Sequence, residues 1–313
     1  MKQKGPIVAI CGPTGVGKSD LAIYLAKELN GEIINFDSVQ FYKDLNIGSA
    51  KPGEEERKLV RHHLFDILSP DEEFNAVKFV ELADQVIEEL WERKVLPIMV
   101  GGTGLYLRAF EYGIFEVKVK DGLREELKKK AEYSLKELYE ELKKLDPEYA
   151  KKISPNDRVR IVRALEVIYS TGKKFSDFHK ENPFFKKKRR EIIKVGLILP
   201  REELYKRINQ RVLRMIEKGW VEEVKSLLEK GYPPDSKAFK AIGYKHLVDY
   251  LLNKISLEKA IKLIQRDTRR YAKRQITWFK KEPDITWFFP EEKEKVLKFV
   301  KERLSHGKYD WFW

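Results

Sequence analysis

Apolar positions along this chain fall into two textures. In the first third, short unbroken apolar runs end in glycine-rich or polar turns and are followed by segments of helical spacing. PIVAIC (6–11) reads as a buried strand, and the stretch from Ser19 to Leu29 places Leu21, Ala22, Leu25, Ala26 and Leu29 on one helical face. GEIINFDSVQ is a second apolar run, ending in Asp37, and a turn-rich stretch (NIGSAKPGEEE) and HHLFDILSP follow it. A helix from about Asn75 to Glu92, a strand from Val95 to Val100, a Gly-Gly-Thr turn and a new helix come next. Repeated strand–turn–helix units predict a parallel sheet with helices on both faces. After about Gly113 the texture changes to charged amphipathic helices with no strand among them. KKKRR (186–190) closes that block, IIKVGLILP (192–200) resumes strand character, and the last third is helical to about Lys280. The pattern predicts an α/β core over 1–113 and 191–313, with an all-helical insertion over 114–190.

Composition narrows the class. With 313 residues, 42% hydrophobic and 12% aromatic, the chain buries a large core and is not disordered. Its 63 Lys and Arg against 50 Asp and Glu give a net charge of +13, which favours a polyanionic partner such as nucleic acid or acidic lipid. A Lys/Glu-rich surface of thermophile type is the competing explanation of that charge. The single cysteine, Cys11, excludes an intrachain disulfide framework and a cysteine-cluster zinc site, and at the end of an apolar strand it reads as a small core residue. No apolar stretch approaches the roughly 18 residues of a membrane span. MKQKGPIVAIC runs straight into the glycine loop with no signal peptide, so the expectation is a cytoplasmic protein without membrane contact.

That loop carries the first chemistry. GPTGVGKS (12–19) spells G-x-x-x-x-G-K-S between a strand and a helix, the context in which backbone amides wrap phosphates. Gly12, Gly15 and Gly17 let the amides turn inward, with Pro13 and Val16 between them. Lys18 supplies a point charge, Thr14 a hydroxyl donor, and Ser19 a ligand for Mg²⁺. The expected core is therefore P-loop NTPase-like. The motif marks a nucleotide-binding loop, most often for ATP, but does not by itself distinguish a nucleoside triphosphate from another pyrophosphate. ATP hydrolysis normally needs a second acid at a strand tip. VLPIMV ends in GGT, whereas IINFD ends in Asp37, which can be a metal partner, a base, or the cap of the following turn. Gly101, Gly102 and Thr103 occupy a strand-to-helix turn and either face the same crevice or form a plain tight turn. Arg207 and Arg211, spaced i, i+4, could close over phosphates or be solvated.

Two basic stretches bear on the partner. In NDRVRIVRALEV, Asn156 or Asp157 caps a helix that carries Arg160 and Arg163 on one side. RDTRRYAKRQITWFKK (266–281) interleaves Arg and Lys with Tyr271, Trp278 and Phe279, which suits phosphate contacts with base stacking, or else a solvated helix face. KKKRR needs no role beyond solvation. His62 and His63 form a pair without further zinc-spaced ligands and read as packing residues.

Taken together, GPTGVGKS, INFDSVQFYKDLNIGSAKP, HHLFDI, VGGTGLYL, NDRVRIVRALEV, KAIGYKHL and AKRQITWFKK resemble, in that order and from residue 12 to 281, the tRNA dimethylallyltransferase (tRNA isopentenyltransferase) family. The missing zinc-finger cysteines point to its bacterial type. The resemblance implies transfer of a dimethylallyl group from dimethylallyl diphosphate to N6 of the adenine just 3′ of the anticodon, in tRNAs reading codons that begin with U. It makes Gly12 to Ser19 the diphosphate site and Asp37, Thr103, Thr14 and Lys18 the catalytic group. Asp37 would be the proton acceptor, with Mg²⁺ near Ser19. It implies contacts to the tRNA anticodon stem-loop from Asp37, Ser38, Val39, Gln40, Thr103, Arg124, Val159, Arg160, Ile161, Val162 and Arg163. Further contacts are implied for Lys240, Gly243, Tyr244, Lys245, Arg274, Gln275 and Trp278, with the insertion gripping the stem and the chain acting as a monomer. Competing functions are an isopentenyltransferase for free adenine nucleotides, a P-loop nucleotide kinase, and an RNA-binding module with a structural nucleotide.

Overall fold

The computed structural model describes residues 4–114, 116–181 and 187–306, so Met1 to Gln3, Lys186 of the basic run and the last seven residues lie outside it. The chain divides into two compact units, one comprising the segments up to Glu111 and from Arg190 onward, the other Tyr112–Arg189.

In the first unit, β1 (Val8–Cys11) runs into α1 (Lys18–Glu28), β2 (Gly31–Asn35), α2 (Glu54–Leu59), β3 (His62–His63), α3 (Ala76–Glu92), β4 (Leu96–Gly101) and α4 (Gly104–Tyr112). The second unit holds α5 (Leu123–Tyr133), α6 (Leu135–Leu145), α7 (Pro147–Ala150), α8 (Arg158–Thr171) and α9 (Phe175–Glu181). The first unit resumes with β5 (Ile193–Leu197), α10 (Arg201–Glu217), α11 (Trp220–Glu229), α12 (Tyr244–Leu251), α13 (Leu257–Phe279), β6 (Ile285–Phe288) and α14 (Lys293–Ser305).

Among the described residues, six strands form one parallel sheet in the order β3-β2-β4-β1-β5-β6. Every residue of β1 is fully buried, as an unbroken apolar strand between two covered faces must be. Val8 and Ile10 pack with Leu21, Ala22 and Leu25 of α1 and with Val296 and Val300 of α14. The alternate residues, Ala9 and Cys11, face the other way and are equally covered. Cys11 is a core residue as expected, and burial pushes its thiol up to about 12. Because β1 pairs with β4 on one side and β5 on the other, the loop after it opens at the carboxyl end of the sheet, where open α/β sheets place their ligands.

The second unit has its own core, made by Leu127 and Ala131 of α5, Leu138 and Leu142 of α6, and Ile161, Ala164, Leu165 and Ile168 of α8. Asp157 caps α8 by accepting the N–H of Arg160 at 3.1 Å. The fully buried Glu166 is held by Arg124 (Nε 2.9 Å, Nη2 3.0 Å) and by Arg163 (Nη1 2.7 Å).

Candidate functional site

The loop after β1 curls as its glycines require. Gly12, Gly15 and Gly17 have φ of 143°, 80° and 99°, in the left-handed region that other residues avoid. A Cβ on Gly12 would stand 2.5 Å from the carbonyl oxygen of Leu197, so β5 itself excludes any side chain there. Val16 is fully buried in the core, which anchors the loop at its centre. Lys18 Nζ donates to the carbonyl oxygens of Gly12 (3.1 Å) and Pro13 (2.9 Å). Burial pushes this ammonium down to about 8; Asp37 opposes that shift and Arg211 adds to it. Ser19 is exposed in the first turn of α1.

Opposite the loop stand the ends of β2 and β4. Asn35, fully buried, accepts the N–H of Asp37 at 2.8 Å and donates to the carbonyl of Leu64 at 3.0 Å, which fixes the chain as it leaves β2. One carboxylate oxygen of Asp37 accepts the N–H of Val39 at 3.0 Å, so this residue does cap its turn. Thr103 Oγ1 accepts the N–H of Ser38 at 3.1 Å, tying the turn after β4 to the turn after β2. Gln275, on α13 and 4% exposed, bridges the remaining gap. Its Oε1 accepts the N–H of Thr14 (2.9 Å) and its Nε2 donates to the carbonyl of Gly102 (2.9 Å).

Two cavities open on this frame. The smaller, about 300 Å³, is lined by Ile208, Val212, Met215, Trp220 and Tyr271 together with Ser38, Val39, Lys240 and Arg274. The larger, about 1030 Å³, is lined by Gly15, Gly17, Lys18, Ser19, Lys51, Arg57, Arg207, Arg214 and Lys218 among others. Thr14, Asp37, Ser49, Ala50, Arg211 and Met215 line both. One cavity is thus the more apolar, with Trp220 and Tyr271 in its wall, the other more polar and rich in cations, and Asp37 lines both.

Sequence reasoning left Arg211 unassigned, and the structure puts it at that junction. Its Nη1 donates to Thr14 Oγ1 at 3.4 Å, and burial holds the guanidinium below its usual range, with Asp37 acting in the opposite direction. The available signal was its place on α10, three residues after the buried Ile208 and in line with Leu204 on the apolar side of that helix. Arg207 lines the larger cavity too, but its Nη2 donates to Glu203 at 2.6 Å. Trp220 and Met215 were likewise not singled out for the site, whereas Tyr271, named as a base-stacking aromatic, lines the smaller cavity.

Of the residues expected to meet RNA in the first unit, Asp37, Ser38, Val39, Lys240 and Arg274 gather at the smaller cavity. Gln40 lines the larger one. Lys245 is exposed with Nζ 3.7 Å from Asp267, and Trp278 packs over Gly104 with the Arg108 guanidinium 4.1 Å from its ring centre. Four of the residues expected to contact tRNA have buried side chains. Gln275 is consumed by Thr14 and Gly102. Tyr244 is fully buried with its hydroxyl on Glu223 at 2.7 Å, and Ile161 and Val162 point into the core of the second unit. Gly243 is also buried, against Trp220. In the second unit Val159 and Arg160 are exposed, while Arg124 and Arg163 share Glu166. His62 Nδ1 lies 2.7 Å from the carbonyl of Val60 and His63 Nε2 lies 2.6 Å from Glu32, the packing roles expected of them.

Comparison with known proteins fits this geometry. Residues 40–282 match the family model described as IPP transferase. The chain belongs to that family. Similar members include the tRNA dimethylallyltransferase of Halothermothrix orenii, 48% identical over 286 residues that cover 90% of this chain and 87% of that one. That of Alkaliphilus oremlandii is 46% identical over 293 residues, covering 91% and 92%. Among solved structures, the tRNA isopentenylpyrophosphate transferase of Bacillus halodurans is 39% identical with a TM-score of 0.72, covering 96% of this chain and 97% of its own. A eukaryotic dimethylallyltransferase acting on tRNA is 30% identical with a TM-score of 0.85, covering 98% and 81%. Among the described residues no helix is long and apolar enough to cross a membrane.

Proposed function

We propose that this protein is a tRNA dimethylallyltransferase that moves the dimethylallyl group of dimethylallyl diphosphate to N6 of the adenine 3′ of the anticodon, in tRNAs reading codons that begin with U. The observation that carries the reading is the meeting of two unlike cavities at Asp37, Thr14 and Arg211. A substitution at carbon needs the entering and leaving groups on opposite sides of the reacting atom. Two cavities with one shared wall supply that arrangement without either substrate displacing the other.

The cation-rich cavity with the glycine loop suits the diphosphate. As the allylic C1–O bond breaks, negative charge grows on the leaving oxygens, where Lys18, Arg211 and the loop amides stabilise it. The more apolar cavity, with Trp220 and Tyr271 in its wall, suits the adenine and the prenyl carbon. As N6 forms its bond to C1, its proton passes to the carboxylate of Asp37, and diphosphate departs with the electron pair of the broken bond. Thr103, tied to the Asp37 turn through Ser38, positions the amine. The exposed Arg160, Lys240 and Arg274, with the guanidiniums of Arg124 and Arg163, supply phosphate contacts to the anticodon stem.

Mg²⁺ fits the same site. It takes oxygen ligands, keeps several waters and binds through one or two side chains plus substrate phosphates. Ser19 and Asp20 offer oxygens beside the loop, a set that suits an ion held mainly by diphosphate and water. When bound, the ion would neutralise charge on the leaving diphosphate. The working form is a monomer.

The decisive experiment offers labelled dimethylallyl diphosphate and Mg²⁺ with unmodified tRNA and AMP side by side. Label in tRNA alone supports the reading; label in AMP, or loss of a γ-phosphate from ATP during turnover, refutes it. Asp37→Ala is expected to lower turnover by about 10²–10⁴-fold with tRNA binding retained, the range of a lost general base. Parental turnover in that variant would remove Asp37 from the chemistry.

A further inference from the structure

The loop that separates the two cavities is held from behind by one carboxylate. Glu223, on α11, lines neither cavity. Its Oε2 accepts the N–H of Asn46 (3.0 Å) and of Ile47 (2.7 Å), and its Oε1 accepts the N–H of Gly48 (3.3 Å) and the hydroxyl of Tyr244 (2.7 Å). Three successive backbone amides converging on one anion form a nest of the kind that elsewhere binds phosphate, here filled by the chain's own side chain.

The support behind this carboxylate is buried. Tyr244 is fully buried, and the Trp220 ring meets it edge-on at 5.6 Å. Trp220 also lies so close over the loop that a Cβ on Gly48 would fall 1.9 Å from its Nε1. From the other side, Gln40 Nε2 donates to the carbonyls of Ser49 (3.0 Å) and Ala50 (3.1 Å), and Lys51 Nζ donates to the carbonyl of Tyr42 (2.7 Å) and to Asn46 Oδ1 (3.2 Å). Residues 46–50 belong to no helix or strand, so these side chains take the place of a hydrogen-bonded ladder.

We propose that Glu223 is a positioning residue for the transfer reaction. It fixes the backbone of Asn46 to Gly48 so that Ser49 and Ala50 form the wall at which donor and acceptor meet beside Asp37. The proposal rests on the function above. Glu223 touches neither substrate. Its removal releases a wall of the reaction space, and a misplacement on the 1 Å scale costs about 10²-fold in rate.

Two variants test it. Glu223→Gln keeps shape and size but loses the charge that three amides share; Tyr244→Phe leaves the carboxylate and removes its anchor. Amide hydrogen exchange at residues 46–48 is expected to accelerate at least about tenfold in Glu223→Gln, and less in Tyr244→Phe. In the same proteins kcat should fall about ten- to a hundredfold in Glu223→Gln, with tRNA affinity within about twofold of the parent. Parental exchange at 46–48, or faster exchange with unchanged kcat and KM for both substrates, overturns the proposal. Should Glu223→Gln not fold, Tyr244→Phe carries both measurements alone. If the parent protein prenylates no tRNA, the function fails while the exchange experiment still decides the clamp.

Discussion

Replacing Gln275 by methionine keeps the length of the side chain and deletes only its amide. In the parent that amide joins the phosphate loop to the Gly-Gly-Thr turn, accepting from Thr14 and donating to Gly102 at 2.9 Å each. Its orientation is dictated by its partners, since an N–H needs an acceptor and a carbonyl a donor. The fit admits no replacement from the other side, because a Cβ on Gly102 would stand 2.1 Å from Gln275 Nε2. Each buried polar group left unpaired costs about 1–3 kcal/mol. The Gly102 carbonyl sits in the fully buried bond, whereas Thr14 is half-buried and can recover water, so the pair together costs about 2–4 kcal/mol. Urea unfolding followed by tryptophan fluorescence reads this as a lower midpoint at unchanged slope. Turnover should fall at least about tenfold, because the loop and the Thr103 turn lose their common reference. Gln275→Glu separates packing from hydrogen bonding. Its ionised carboxylate still accepts from Thr14 but cannot donate to Gly102, and its protonated form can. Activity of this variant, relative to the parent, should therefore recover as pH falls. Two variants within about 0.5 kcal/mol of the parent and with parental turnover would refute the bridging role.

Lys18 makes donor binding pH-dependent. Its ammonium, held down to about 8, regains a counter-charge when a diphosphate binds, so the bound form keeps the proton to higher pH. Affinity for dimethylallyl diphosphate should be complete below pH about 8 and decline toward tenfold per unit as pH rises through it; titration calorimetry across that range, with Lys18→Gln as a flat control, checks the sign. Lys194, fully buried in β5, donates to both oxygens of Glu111 at 2.9 and 2.7 Å. Lys194→Met deprives that carboxylate of its ammonium and should cost about 3–5 kcal/mol in urea unfolding, most of it recovered in Lys194→Met with Glu111→Leu. Equal stability of the single and double variants would show that the pair is not coupled.

The mixed reading of sequence and structure is clearest at individual elements. The strand Leu96–Gly101 and the helix Ala76–Glu92 begin and end within a residue or so of where apolar spacing put them, because a strand buried on both faces and an amphipathic helix leave unmistakable patterns. The strands His62–His63 and Ile285–Phe288 were not anticipated. The first is only two residues long, and the second, apolar ITWF, is a short half-buried strand beyond a segment whose spacing reads as helix. Arg211 and Gln275 escaped for a related reason. Each is a polar residue on the apolar face of its helix, and periodicity treats such a position as noise unless the partner is known. Gln275 was instead read as an RNA contact, and in the folded chain its amide is occupied by Thr14 and Gly102.

What the sequence alone determined is local: the phosphate-loop motif, the glycines its curl demands, the Asp37 strand end, and the alternation between sheet-forming and purely helical stretches. These follow from interactions among residues close along the chain. The strand order and the sharing of Asp37 between two cavities belong to the packed chain, and the Thr103–Ser38 tie, the Glu223–Ile47 clamp and the Gln275–Thr14 bridge join residues 65, 176 and 261 positions apart. Such pairings are set by which buried polar groups can satisfy one another once the sheet and helices have packed, and that is decided only in the folded chain.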